Sequence, residues 1–316
     1  MKHRTSPYRS FDPFSTQRGR TLVELLVAIT LSLMIVAAVG AIYIASSQSA
    51  RTSLEISSVE ERGRMAMFFV GEPIAMAGYG TIVGVTESRY DNLTFSEPHV
   101  RACQAGTRFQ APAAGNFNCV AGGGAGDQLM VSFQADSAAG APQGLLTDCL
   151  GQGAPLSAGV PTVRNIYSIA AGQFACQGNG AAQTQGLIDG VENFKVFLAF
   201  DQRSFQTGLT IGNYVPTVIG GALLSPATIA ASPQTALGPT AIGNPWNHVV
   251  AVYVCVQLRT TEGATTLTAA STFLPCPQNE AEAANGTAPE VITDGVARRS
   301  FTRVFTIRSR AQAAAL

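Results

Sequence analysis

The chain has 316 residues, and its 20 lysines and arginines balance its 20 aspartates and glutamates. A balanced charge argues against nucleic acid as a partner, because proteins that bind nucleic acid through bulk charge are basic. Hydrophobic residues make up 46% of the chain and charged residues only 13%, so the chain is long and apolar enough to bury a substantial core.

The first 19 residues form a short polar leader that ends at Gly19. It contains four basic residues and one acidic residue, a net charge of +3, and its removal leaves a net charge of −3 on the remaining chain. A positive flank next to an apolar segment stays on the cytoplasmic side of a membrane. We therefore expect the rest of the chain to be exported.

The segment from Leu25 to Ala45 is apolar, with polar side chains only at Thr30, Ser32 and Tyr43 and no charge. As a helix its 21 residues span about 30 Å, enough to cross a bilayer. Two competing interpretations are an ordinary signal anchor and a secretory peptide cut after the apolar core. The second is disfavoured because the helical pattern continues through the expected cleavage region.

Glu24, immediately before this segment, is unusual because it is a charged residue in an otherwise apolar helix. A carboxylate in a membrane helix costs about 2.5–3.5 kcal/mol even on the lenient insertion scale. Such a residue is expected to have a functional partner.

Residues 46–70 continue the helix with a different character. Charged residues separate the apolar ones, and the pairs Arg51–Glu55 and Glu60–Arg64 have the i,i+4 spacing that supports a helix. The pattern predicts an amphipathic helix, with a coiled-coil stalk as the alternative. The apolar residues near helical spacing are Ala50, Leu54, Met65, Phe68 and Phe69.

The helix is expected to end near Gly71. Pro73 disfavours helical geometry at the residue before it, and Gly63 costs about 1 kcal/mol in a helix interior. The first element after the leader is therefore predicted to cover residues 20–71, and residues 72–316 are predicted to form one globular domain.

The globular part alternates strand patterns with long stretches rich in glycine and alanine. The latter, at 102–126, 135–161, 170–186, 208–245 and 261–289, are predicted to be loops. The strand patterns lie at 128–134, 191–200, 249–258 and 301–308. A long helix followed by several strands predicts an α+β fold, with the helix packed on an antiparallel sheet.

Six cysteines lie beyond the apolar segment, on the side where disulfides persist. Six cysteines allow 15 disulfide arrangements. Pairing each cysteine with its neighbour in the sequence brackets a Gly- or Pro-rich loop each time, which favours this arrangement. Buried free thiols are the alternative. The expected pairs are Cys103–Cys119, Cys149–Cys176 and Cys255–Cys276.

No motif for catalysis, metal binding or cofactor binding is found in the sequence. The two histidines beyond the leader, His99 and His248, lack metal-ligand spacing, and neither a nucleophile elbow nor a phosphate-binding loop occurs. We therefore expect no catalytic residue, metal or cofactor, and a protein that is not an enzyme.

A few polar and aromatic residues still allow a binding role. Asp189 and Glu192 could bind a cation, although a turn before a strand explains them better. Trp246 is expected in the core. Arg298, Arg299 and Arg303 are expected on a solvated basic edge.

The junction Gly19-Arg20-Thr21-Leu22-Val23-Glu24 resembles the class III signal of type IV pilins and type II secretion pseudopilins. The resemblance implies that a prepilin peptidase cuts between Gly19 and Arg20 and that the new amino terminus is N-methylated. It also implies that Glu24 is the assembly residue. Family members usually carry Phe where this chain has Arg20.

Four further segments resemble conserved blocks of the PilW family of minor pilins: Met76–Gly80, Gly186–Asp201, Pro245–Thr260 and Asp294–Arg310. The resemblance implies a pilin-like fold and a subunit that helps to initiate or cap a type IV pilus. Its partners would be other minor pilins, the major pilin and the inner-membrane assembly platform. It would cross the inner membrane once and place its carboxyl-terminal domain in the periplasm.

Two alternatives remain. A J-type minor pseudopilin of type II secretion would share the same signal. A membrane-anchored periplasmic enzyme or binding protein would leave Glu24 unexplained.

Overall fold

The computed structural model describes residues 21–80, 99–111, 116–136, 146–157, 159–180, 183–200, 223–231, 246, 249–260 and 271–308. The expected leader and cleavage point, with Gly19 and Arg20, lie outside these residues. The chain divides into two compact units, residues 1–51 and 52–316.

One helix, α1, runs from Leu22 to Met76. The predicted end near Gly71 is wrong by five residues, and Pro73 lies inside the helix. Proline has no N–H to donate to the carbonyl four residues earlier, which is that of Phe69. The hydroxyl of Tyr167 donates to that carbonyl instead, at 2.9 Å. A contact from the sheet thus supplies the bond that the helix lacks.

The strands of the second unit form two antiparallel sheets and two short ribbons, which confirms the α+β prediction. The strands are β1 (Val100–Cys103), β2 (Thr107–Ala111), β3 (Asn116–Ala121), β4 (Gln128–Gln134), β5 (Leu156–Ser157), β6 (Val160–Ala170), β7 (Gln173–Gly178), β8 (Thr184–Asp189), β9 (Val191–Phe200), β10 (Leu223–Leu224), β11 (Val249–Arg259), β12 (Ser271–Phe273), β13 (Glu290–Ile292) and β14 (Arg298–Thr306). The short helices are α2 (Pro226–Ala231) and α3 (Glu280–Asn285).

The first sheet has the strand order β1-β4-β6-β7-β8, with β5 also paired to β6, and the second has the order β10-β9-β11-β14. The ribbons are β2–β3 and β12–β13. The four strands predicted from apolar patterns are present as β4, β9, β11 and β14, the last beginning three residues earlier than expected. One sheet was expected, and the described residues form two.

Several strands lie inside segments that were predicted to be loops. The hairpin of β6 and β7 turns at Ala171 and Gly172, whose φ angles are 51° and 73°. Positive φ at both central residues matches the twist of a two-residue hairpin. Hydrogen bonds and tight turns define these strands. Their Gly- and Ala-rich composition lacks the apolar alternation from which strands are predicted.

The second half of α1 packs on the sheets with a face that differs from the one its apolar spacing suggested. Leu54, Met65 and Phe68 are exposed. The buried face mixes apolar side chains with three small residues, Gly63, Ala66 and Gly71, that let the helix approach the strands closely. The buried residues are Val59, Gly63, Ala66, Met67, Val70, Gly71 and Ile74.

Two helix glycines receive aromatic rings from β14. A Cβ atom at Gly63 would overlap the ring of Phe301, and one at Gly71 would overlap the ring of Phe305. These glycines lower the helix propensity of α1, but they are required for its close packing against the edge strand β14.

All six cysteines are paired, and the pairs are the sequence neighbours named above. The bonds tie β1 to β3, a loop to β7, and β11 to the segment before α3. Each closes a chain segment of a length for which the chain-entropy model gives about 3 kcal/mol. The Cα–Cα distances are 5.6 Å for Cys103–Cys119, 6.4 Å for Cys149–Cys176 and 5.7 Å for Cys255–Cys276.

Candidate functional site

The first half of α1 presents its apolar side chains to the outside. Within the described residues it is the one helix that is long and apolar enough to cross a membrane, and none of its most apolar 18-residue window is buried. Val36 and Ile42, for example, are 68% and 69% exposed. Apolar side chains this exposed over six turns need a lipid or protein environment to cover them.

Two of the polar side chains in this segment bond to the helix itself. The hydroxyl of Thr30 donates to the carbonyl of Val27 at 2.9 Å, and that of Ser32 donates to the carbonyl of Ala28 at 2.5 Å. A hydroxyl that is already bonded loses little on entering an apolar environment. These residues therefore do not prevent the helix from lying in lipid or among other helices.

Glu24 is the only charged residue between Thr21 and Ala50. It lies in the first turn of α1, where the helix dipole favours a negative charge. Its backbone N–H donates to the side chain of Thr21 at 3.3 Å, and Thr-x-x-Glu is the pattern of a capping box. The position can therefore support two roles, helix capping and pairing with an external cation.

No group of three or more His, Cys, Asp or Glu side chains that could hold a metal occurs in the described ranges. Asp189, considered above as a cation ligand, accepts a hydrogen bond from Gln173. Its backbone carbonyl accepts from Arg62 of α1 at 3.0 Å. These contacts give Asp189 a structural role where α1 meets β8.

Glu192, the other candidate cation ligand, forms part of a network with Arg298. The guanidinium of Arg298 contacts both oxygens of Glu192, at 2.7 and 3.1 Å, and both oxygens of Asp294, at 2.8 and 2.6 Å. These hydrogen bonds lower the pKa of the Asp294 carboxyl and raise the pKa of Arg298. The expectation that Arg298 lies on a solvated edge is wrong, since its side chain is only 17% exposed.

Arg299 is also bound, to Glu60 of α1. The sequence pattern predicted a pair between Glu60 and Arg64 within the helix. The contact between Glu60 and Arg299 connects the helix to β14 instead. Trp246 is 5% exposed, as expected for a core residue. The guanidinium of Arg101 lies 5.8 Å from the centre of its ring.

One buried polar site was missed in the sequence. Asp127 is 2% exposed and accepts from the backbone N–H groups of Ala105 and Val196 at 2.8 and 2.9 Å. Lys195 lies 3.6 Å from its carboxylate. Burial raises the pKa of Asp127, while the lysine and the two N–H groups oppose that shift.

Lys195 was the available signal for this site. It is a lysine between the apolar residues Phe194 and Val196 of β9, and a buried lysine requires an acid nearby. The acid lies 68 positions away along the chain, so the sequence alone could not identify it.

Comparison with known proteins gives similarity at the level of structure. No protein-family model and no curated protein matches the chain. A type IV-like pilin from Thermus thermophilus matches 80% of this chain and 98% of its own, with 11% sequence identity and a TM-score of 0.42. With a TM-score this low, the similarity assigns no role to any residue.

Proposed function

We propose that the chain is a structural subunit of a type IV pilus, a minor pilin of the PilW kind that helps to initiate or cap the fibre. The observation that carries the proposal is the exposed apolar half of α1 with a single carboxylate, Glu24, in its first turn. A helix of this kind can be stored in a bilayer and later packed among the helices of other subunits. No enzymatic function is proposed.

The proposal includes processing at the leader. A prepilin peptidase cuts between Gly19 and Arg20, and the new terminal amine at Arg20 is methylated. The amine then precedes Glu24 by four residues, about 6 Å along a helix. Intact-mass and amino-terminal analysis of the mature protein tests this step, and a chain that begins at Met1 or near Ser46 would reject it.

The proposed location is the inner membrane, with the second unit in the periplasm before assembly and at the cell surface afterwards. Three disulfides within that unit agree with an oxidising compartment. The proposed partners are other minor pilins, the major pilin and the inner-membrane assembly platform.

The proposed mechanism is an ion pair between subunits. A carboxylate and an ammonium that are each unfavourable alone in an apolar environment become tolerable when they are paired. Glu24 of this chain pairs with the terminal amine of an adjacent subunit and so sets the axial register of the two helices.

The test compares three variants at this position in cells. Glu24→Ala is expected to insert into the membrane normally, to co-purify less with other minor pilins and to lower surface piliation. Glu24→Asp should retain part of the function, because it keeps the charge on a shorter side chain.

Glu24→Gln separates the two roles that the first turn allows. Glutamine can replace glutamate in a capping box but cannot form an ion pair. We expect Glu24→Gln to fail as Glu24→Ala does. Normal piliation by Glu24→Gln would show that capping alone explains the residue and would reject the pairing mechanism.

A further inference from the structure

Asp127 and Lys195 bring a carboxyl group and an amine together between the two sheets of the second unit. Asp127 immediately precedes β4 of the first sheet, and Lys195 lies in β9 of the second. Their side chains are 3% and 8% exposed, and Nζ of the lysine lies 3.6 Å from Oδ1 of the carboxylate. Two groups that can condense to an amide are therefore held side by side, away from bulk water.

The backbone of β9 holds Asp127 on both sides of Lys195. The N–H of Asp127 donates to the carbonyl of Phe194 at 2.8 Å, and its Oδ2 accepts from the N–H of Val196 at 2.9 Å. Oδ1, the oxygen beside the lysine, accepts from the N–H of Ala105 at 2.8 Å. The carboxyl group therefore has a fixed position, and groups fixed in this way within one molecule reach effective concentrations of about 10⁵–10⁸ M.

The contact between the two side chains is long for an ion pair. A charge-assisted hydrogen bond from nitrogen to oxygen measures about 2.7–2.9 Å, and these two atoms are 3.6 Å apart. A buried ammonium and carboxylate are unfavourable unless they pair closely. Burial also raises the pKa of the Asp127 carboxyl, which favours transfer of a proton to it from Lys195. An amide removes both charges from the interior.

We propose that Lys195 and Asp127 are joined by a covalent isopeptide bond in the folded protein. The ammonium gives one proton to the carboxylate, which leaves a neutral amine and a carboxylic acid. The amine nitrogen attacks Cγ, the Cγ–Nζ bond forms, and one Cγ–O bond breaks as that oxygen leaves with two protons as water. The backbone N–H groups at the two oxygens stabilise the negative charge that develops during the attack. The reaction requires neither an oxidant nor a reductant.

Lysine is the residue that this chemistry requires, and it is scarce in the chain. Of the 20 lysines and arginines, only Lys2 and Lys195 are lysines. The ion pairs of Arg298 with Glu192 and Asp294 involve a guanidinium, which stays protonated in proteins and therefore does not attack a carboxyl group. The one lysine beyond the leader thus lies beside a buried carboxyl group.

The isopeptide bond adds a connection that the disulfides do not make. Three disulfides use all six cysteines, and none of them joins a strand of the first sheet to a strand of the second. The bond from Lys195 to Asp127 links β9 to the start of β4 and so fastens the two sheets to each other. It goes beyond the proposed pilus function and does not depend on it.

The first test is the intact mass of the full chain, purified from the cell envelope with its disulfides reduced. The control is Lys195→Arg, which keeps a positive charge beside Asp127 and cannot form the amide. After correction for the substitution itself, we expect the natural chain to be lighter than this variant by about 18 Da, one water. The comparison cancels every modification that the two chains share. Equal corrected masses would overturn the proposal.

Peptide mapping of the natural chain locates the bond and does not depend on the folding of a variant. We expect trypsin not to cleave after Lys195, and we expect a branched peptide that contains both Lys195 and Asp127. Efficient cleavage after Lys195 would overturn the proposal. So would a missing water that maps to another place, such as a cyclised Asp189 before Gly190.

Amine labelling of the denatured chain gives an independent measurement. Asp127→Ala has no carboxyl group at this position, so an amine-reactive reagent should label Lys195 of that variant fully. We expect the natural chain to show little or no label at Lys195, because its nitrogen is part of an amide. Equal labelling of Lys195 in the two chains would show that the contact is an ion pair alone.

Discussion

Tyr167 shows how a single side chain completes the long helix. Its hydroxyl is buried and donates to the carbonyl of Phe69, which Pro73 leaves without its usual partner. Burial raises the pKa of Tyr167, so the hydroxyl stays protonated and remains a donor throughout the physiological range. The helix can therefore continue to Met76 across a proline.

We predict that Tyr167→Phe lowers the free energy of unfolding of the second unit by about 1–3 kcal/mol, the cost of a buried unpaired carbonyl. The measurement is urea unfolding of the full chain in detergent, followed through the fluorescence of Trp246. Tyr253→Phe, at a half-exposed tyrosine, is the matched control and should have a smaller effect.

Pro73→Ala provides the specific check on this mechanism. It restores a backbone N–H that can bond to the carbonyl of Phe69, so it should recover part of the stability lost in Tyr167→Phe. Additive effects of the two substitutions would show that the tyrosine and the proline are not coupled.

At the scale of elements, the contact between α1 and β14 depends on two glycines of α1, Gly63 and Gly71, that have no side chain to obstruct it. Helix propensity alone predicts that Gly63→Ala or Gly71→Ala would stabilise the helix by about 1 kcal/mol. We predict the opposite, a loss of about 1–3 kcal/mol in the unfolding of the second unit for each, because the methyl group overlaps the ring of Phe301 or Phe305.

The same urea unfolding measurement, with two comparison variants, tests this prediction. Gly40→Ala is the control, since a Cβ atom there meets nothing within 4 Å, and it should not destabilise the protein. Combining Gly63→Ala with Phe301→Leu should restore part of the loss. A stability gain from Gly63→Ala would show that the ring moves aside and that propensity dominates.

The elements that the sequence predicted are those with a strong apolar period. In β11, valines alternate with residues of the other face from Val250 onward, and the strand ends one residue later than predicted. β7 was missed because its sequence, QFACQG, has no such alternation, and its place depends on β6 and β8 on either side. The buried face of α1 was missed because Gly63, Ala66 and Gly71 interrupt its apolar residues, while large apolar residues such as Phe68 lie on the exposed face.

At the scale of the whole molecule, the sequence identified one candidate site and the three disulfides, and it missed the polar contacts between distant parts of the chain. Glu24 could be found because an isolated charge in an apolar segment is conspicuous, although its role is still a proposal. The Asp127–Lys195 pair and the Glu192–Arg298 network join residues far apart in the chain. Such partners emerge only when the strands are arranged in space.

The order of the cysteines along the chain has a consequence for biogenesis. No disulfide encloses or crosses another: each cysteine pairs with the next one, 16, 27 and 21 positions away. A chain that crosses the membrane from its amino-terminal side therefore presents each correct partner before any wrong one. We expect correct pairing to need a thiol oxidase but no disulfide isomerase, which non-reducing peptide mapping of protein from strains that lack either enzyme would test. Scrambled bonds in the isomerase-deficient strain would contradict this expectation.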